Sequence, residues 1–151
     1  MILKFKQMEK TIISPLIGML AYDKEFDWYT GSYSDGKEKF DIYISKEGLD
    51  DNELQTLLGK VEALLKSRYY ETALLEMETD MIKLKNKAWL GEEELEIAPE
   101  DFRKHITIDS ITFYEDGNSE IHCNNNNIFR GHSIIIDTNE NGTFEEATLA
   151  G

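Results

Sequence analysis

The stretch DDNELQTLLGKVEALLKSRYYETALLEMETDMIKLKNKAWLG, Asp50 to Gly91, decides the fold. Asp50 is an N-cap, because a side-chain oxygen there accepts from a first-turn N–H, and Glu53 stands at the capping-box position three residues on. Leu54, Leu57, Leu58, Val61, Leu64 and Leu65 then recur at three- and four-residue steps, which puts one apolar stripe on one helix face. Tyr70, Leu74, Met77, Met81, Leu84 and Ala88 make a second stripe, and the step from Leu65 to Tyr70 breaks the period. A single helix from Asp51 to Ala88 would be roughly 57 Å long, whereas a domain of this length has a radius of gyration of about 15 Å. The stretch therefore predicts two helices with a turn between Lys66 and Tyr69. Trp89 and Leu90 close the second, and Gly91 stops it.

Outside this stretch the period changes from helical to alternating. In EFDWYTGSYSDGKEKFDIYIS, Phe26, Trp28 and Thr30 alternate with Asp27 and Tyr29, and Phe40, Ile42 and Ile44 alternate with Asp41 and Tyr43. Ser34-Asp35-Gly36-Lys37 between them predicts a hairpin turn, and Leu16–Tyr22 predicts a strand before it. The acidic loop GEEELEIAPED follows the helices, with Pro99 suited to the first turn of a short helix through Lys104. Ile106 and Ile108 alternate, but Ile111 and Phe113 resume on the other parity, which predicts a β-bulge at Asp109-Ser110. Asp116-Gly117 predicts a turn; Ser119–Cys123, Ser133–Asp137 and Phe144–Leu149 predict strands, with four asparagines from Asn124 connecting the first two. The expected fold is α+β, a mainly antiparallel meandering sheet with a central pair of helices inserted between N-terminal and C-terminal strands. Residues 1–151 form a single domain.

One segment raises a metal question. GHSIIIDTNENGT, Gly131 to Thr143, holds Asp137, Asn139, Asn141 and Gly142 at the first, third, fifth and sixth positions of a calcium loop. The twelfth position, where a bidentate glutamate belongs, is Thr148, and both flanks alternate as strands. Asn141-Gly142 favours a hairpin turn, so the segment reads as a turn and not a metal loop; Glu140, Glu145 and Glu146 are surface carboxylates.

The chain carries 16 basic and 30 acidic residues, a net charge of −14. That excess repels nucleic-acid phosphates and anionic lipid and favours a basic protein partner. No apolar run reaches the length of a membrane span, and Met1–Leu20 lacks the layout of a signal peptide. With Cys123 as the only cysteine there is no internal disulfide, and a cytoplasmic location is expected. His105, His122 and His132 lack metal-ligand spacing, no cofactor motif is present, and neither His122-Cys123 nor His132-Ser133 can pair as strand neighbours pointing to opposite faces. Cys123 shares its parity with Ile121 and reads as core.

Binding residues are sought among the aromatics and at one strand end. Trp28 shares a face with Phe26 and is expected in the core, which leaves Tyr29, Tyr33 and Tyr43 on the other face. Tyrosines beside aspartates make a protein-binding surface unless the helices cover them. Arg130 and His132 stand at a strand start beside the asparagines, either as a binding pair or with His132 fixing the turn by bonding a loop carbonyl. An enzyme with a site near Arg130 and His132 is the alternative to a binding module.

The C-terminal third, with Asp116-Gly117, then Phe129-Arg130-Gly131-His132-Ser133-Ile134 and a closing Ala147-Thr148-Leu149-Ala150-Gly151, resembles a bacterial family of domains of unknown function. LIGMLAYDKEFDWYTG from Leu16 resembles that family's opening strands, and KNKAWL from Lys85 its helix end. The resemblance implies an α+β domain of the bacterial cytoplasm with no catalytic residue to transfer. Related small acidic domains are linked to immunity or partner binding, and together with the net charge of −14 and the missing catalytic motifs this gives the expectation of a non-enzymatic acidic binding module, of the immunity or inhibitor type, for a basic protein partner. The acidic loop after Gly91 is longer and more acidic than the resemblance implies.

Overall fold

The computed structural model describes residues 11–151, so the N-terminal reading of Met1–Lys10 lies outside the described residues. Among the described residues, β1 (Thr11–Ser14), β2 (Gly18–Asp23), β3 (Trp28–Ser34) and β4 (Lys39–Ser45) precede the helices. The helices are α1 (Asp51–Ser67), α2 (Tyr69–Ala88) and α3 (Pro99–His105). After them come β5 (Thr107–Phe113), β6 (Ser119–Asn124), β7 (Ser133–Thr138) and β8 (Phe144–Ala150). The strands form one sheet in chain order. All neighbours are antiparallel except β4 and β5, which run parallel with Ile42 opposite Ile111 and Ile44 opposite Phe113. Parallel neighbours need a long crossover, and α1 to α3 provide it.

The expected break between the helices falls at Arg68, whose φ of 56° ends α1 in the left-handed region. Its backbone N–H reaches back to the carbonyls of Leu64 and Leu65, and Tyr69 starts α2. Arg68 also donates through Nη2 to the Asp35 carbonyl at 3.0 Å, and the Tyr70 hydroxyl donates to the Asp35 carboxylate. The β3–β4 turn is thereby tied to the helix junction. Burial works against the Asp35 charge, but the Tyr70 hydroxyl, the Glu38 and Lys37 amides and Arg68 together hold its carboxyl down to about 2. At the other end of α1 the capping box forms in both directions: Glu53 N–H to Asp50 at 2.8 Å, and Asp50 N–H to Glu53 at 3.1 Å.

Leu54, Leu57, Leu58, Val61 and Leu65 of α1 and Tyr69, Tyr70, Ala73, Met77 and Met81 of α2 are buried, while Ala88, the expected end of the second stripe, is exposed. They pack on one face of the sheet with Phe40, Ile42, Ile44, Ile111, Phe113, Ile121, Ile134 and Ile136. A buried hydroxyl chain crosses this interface, from Tyr69 to Ser119 (2.8 Å) and from Ser119 to Thr138 (2.6 Å), and satisfies groups that would otherwise be stranded. The bulge forms where the parity change put it, between Ile108 and Ser110.

The structure corrects the face assignment in β3. Tyr29 and Tyr33 are 5% and 8% exposed, inside the core, while Phe26 is 58% exposed. The register decides this: Tyr33 pairs with Phe40 and Tyr29 with Ile44, and directly opposed residues share a face. Trp28 pairs with Ser45 and so lies on the opposite face, half-buried.

The segment with partial calcium-loop spacing is the β7–β8 hairpin turn. Asn139 and Thr143 close it, and the Asn139 side-chain oxygen accepts the N–H groups of Asn141 (2.9 Å) and Thr143 (3.0 Å). Gly142, at φ +78°, packs under the helix junction, where an added Cβ would stand 2.8 Å from Leu64 Cδ2 and 2.9 Å from Tyr69 Cδ2. Gly36 has an equally left-handed φ of +90° with open space around it. Gly142→Ala is expected to destabilise by about 2–3 kcal/mol, from strain and overpacking together, and Gly36→Ala by about 1 kcal/mol, from strain alone. Urea unfolding of both variants checks this; equal losses would contradict the packing of Gly142 against the helices.

Candidate functional site

The second face of the sheet carries the candidate site. Residues paired across the ladders lie in rows, and one row runs Tyr43, Thr112, Glu120, Asp137, Glu146 over β4 to β8. A neighbouring row runs Asp41, Ser110, His122, Ile135, Thr148. Towards β1 the same face is apolar, with Ile13 and Met19 69% and 65% exposed.

Phe26, Trp28 and Tyr43 form an aromatic shelf on this face. Phe26 stacks on Trp28 with centroids 5.0 Å apart, and Trp28 meets Tyr43 at 4.7 Å. Among the described residues the indole Nε1 of Trp28 is shielded and has no acceptor. Tyr43 begins the row that continues to the carboxylates. Tyr114 donates its hydroxyl to Glu120 Oε1 at 2.7 Å, and His122 Nε2 stands 3.5 Å from the same oxygen. Partial burial, then the charges of Glu120 and Glu146, push the Asp137 carboxyl above its ordinary range. Like charges in adjacent strands cost stability, and this row retains them.

The residues singled out in the sequence separate. Tyr43 belongs to the shelf; Tyr29 and Tyr33 lie beneath the helices and present no surface. Arg130 is exposed, at φ 52°, with its guanidinium near Gly91 and the Glu94 charge. His132 fixes its turn: Nδ1 meets the Phe129 carbonyl at 3.0 Å, and the ring sits edge-on to Trp89 at 5.0 Å. Asn125, whose amide donates to the His132 carbonyl at 2.6 Å and accepts from Phe129 N–H, completes this frame. Burial, with Glu38 and Asp109 adding to it, pushes the Cys123 thiol up to about 12, and a neutral thiol is a poor nucleophile. Among the described residues no group of three or more His, Cys, Asp or Glu side chains is set to hold a metal ion. No helix among them is long and apolar enough to cross a membrane.

The acidic loop is strapped to α2. Buried Lys85 donates to the Trp89 carbonyl (2.7 Å) and to Glu94 (3.0 Å), while Asn86 brackets Ile97 through both its N–H and its carbonyl. The glutamate-rich loop is thus neutralised at one point and exposed elsewhere, with Leu95 at its tip 87% exposed.

Fold and site define an α+β protein with a sheet covered by helices on one face and presenting an aromatic and acidic second face. Residues 14–149 match the model of a family described as an uncharacterized protein conserved in bacteria (DUF2262), and the chain belongs to that family. No curated protein and no solved structure matches the chain.

The sign of the Asp137 shift gives a test. A carboxyl raised in the folded state contributes fully below its unfolded pKa and loses stability as pH rises through the folded value. Asp137→Asn is therefore expected to raise the melting temperature at pH 7 by about 1–3 °C, and to melt with wild type near pH 3. A lower melting temperature for the variant at pH 7 would contradict the repulsion in this row.

Proposed function

We propose that this protein is a non-enzymatic binding module whose second sheet face, free of helices among the described residues, receives a basic protein partner. The observation that carries the reading is the continuity of the Phe26–Trp28–Tyr43 shelf with the Glu120–Asp137–Glu146 row on one face. Rigid aromatics supply contact area at small entropic cost, and anchors of this type dominate binding energies. The adjoining carboxylates and the net charge of −14 select and steer a cationic surface. An inhibitor of the immunity type, which blocks a basic partner by covering it, is the form of this reading that the family resemblance favours. The surroundings of His132 support a loop-fixing role in place of a catalytic one.

Capture from bacterial lysate tests it, with wild type, Trp28→Ala and Leu95→Ala as baits, each checked for folding by circular dichroism. The expected result is a basic protein held by wild type and by Leu95→Ala, lost with Trp28→Ala, and weakened by salt. Proteins held equally by all three baits, or none that depends on Trp28, would overturn the reading.

A further inference from the structure

The same face contains a cavity of about 420 Å³ at the bulge of β5 and the adjoining ends of β6 and β7. Asp109, Ser110, His122, Asn124, Asn127 and Ser133 line it. Its volume is that of a small-ligand site. Its chemistry is not that of an apolar pocket, because hydroxyls, amides and one carboxylate form the wall.

The wall offers acceptors in the Asp109 carboxylate, the Ser110 and Ser133 hydroxyl oxygens and the Asn127 carbonyl, beside the donor NH2 groups of Asn124 and Asn127. Asp109 sits at the bulged position, where the extra residue re-aims its side chain, and it forms no ion pair among the described residues. The hydroxyls of Ser110 and Ser133 and the amide of Asn127 have no hydrogen-bond partner among the described residues, although Ser110 is 7% exposed. Asn124 has spent its oxygen on the Asn126 N–H at 2.8 Å. His122 turns Nε2 towards Glu120 at 3.5 Å and so joins the cavity to the carboxylate row.

A planar cation with several donors matches the acceptor groups of such a wall. The guanidinium of arginine has five N–H donors in a fixed fork, suited to a carboxylate with flanking oxygens, whereas an ammonium is a compact point charge. We infer that this cavity is the anchor pocket for an arginine side chain of the basic partner, ion-paired to Asp109 and bonded by Ser110, Ser133 and Asn127. The inference rests on the binding-module reading and names the residue type by which the partner is held.

Amide NMR titration of the full-length protein with N-acetyl-arginine-N-methylamide, and with its lysine counterpart, tests the pocket. Saturable shifts confined to Ser110, His122, Ser133 and their neighbours are expected with the arginine probe, weaker by about fivefold or more with lysine. Asp109→Asn, at an exposed position, is expected to weaken the arginine response by about tenfold, and Asp80→Asn, exposed on α2 on the helical side, to leave it within about twofold. Equal shifts from both probes, spread over the acidic surface and indifferent to Asp109→Asn, would overturn the pocket. Trp28-dependent capture without an arginine response overturns the pocket and leaves the binding module standing. An arginine response without Trp28-dependent capture supports the guanidinium site and overturns the module.

Discussion

The parallel pairing of β4 with β5 is the constraint on which the rest of the structure depends. Parallel neighbours cannot be joined by a tight turn, so the chain must leave the sheet and return. Asp51–His105 makes that excursion, and the left-handed residue Arg68 ends the first long helix and turns the chain into the second. Both helices then bury their stripes on the same face of the sheet. Among the described residues the connections within β1–β4 and β5–β8 contain no helix, so those connections supply no second layer.

An antiparallel sheet tolerates this arrangement because one face can meet water. The covered face is mainly apolar, and its Tyr69, Ser119 and Thr138 hydroxyls satisfy one another. The second face carries carboxylates in neighbouring strands, which the core rejects, and three large aromatic rings. A face selected for solubility alone has no need of a Trp28 indole packed between Phe26 and Tyr43. The unfavourable proximity of Glu120, Asp137 and Glu146 would be relieved by positive charge arriving from outside, as the proposed binding function requires.

Much of this was legible in the sequence. The capping box at Asp50, the period break before Tyr70, the parity slip at Asp109-Ser110 and the Asn141-Gly142 turn each have a local cause, and each formed as local rules dictate. The inward tyrosines were misread because alternation alone does not say which face is buried. The hairpin turn held the answer. With Ser34 paired to Lys39, odd-numbered residues of β3 oppose even-numbered residues of β4, so Tyr29 and Tyr33 join Phe40, Ile42 and Ile44. Gly31 between the two tyrosines was a second signal, since an added Cβ would stand 2.5 Å from Leu20 Cδ2. The rows of the open face were not legible, because the β4–β5 register is fixed by helix packing and no local motif encodes it. The cavity at Asp109 unites residues from β5, β6, β7 and the asparagine loop for the same reason.

The claim that one face is covered and the other open is tested most directly by hydroxyl-radical footprinting of the native protein, read by mass spectrometry. The account predicts rapid oxidation of Met19, Phe26 and Tyr43, with Tyr29, Tyr33, Tyr69 and Tyr70 protected until the protein unfolds. Protection of Phe26 and Tyr43 together with oxidation of Tyr29 and Tyr33 would contradict it, because the helices would then lie on the other side of the sheet.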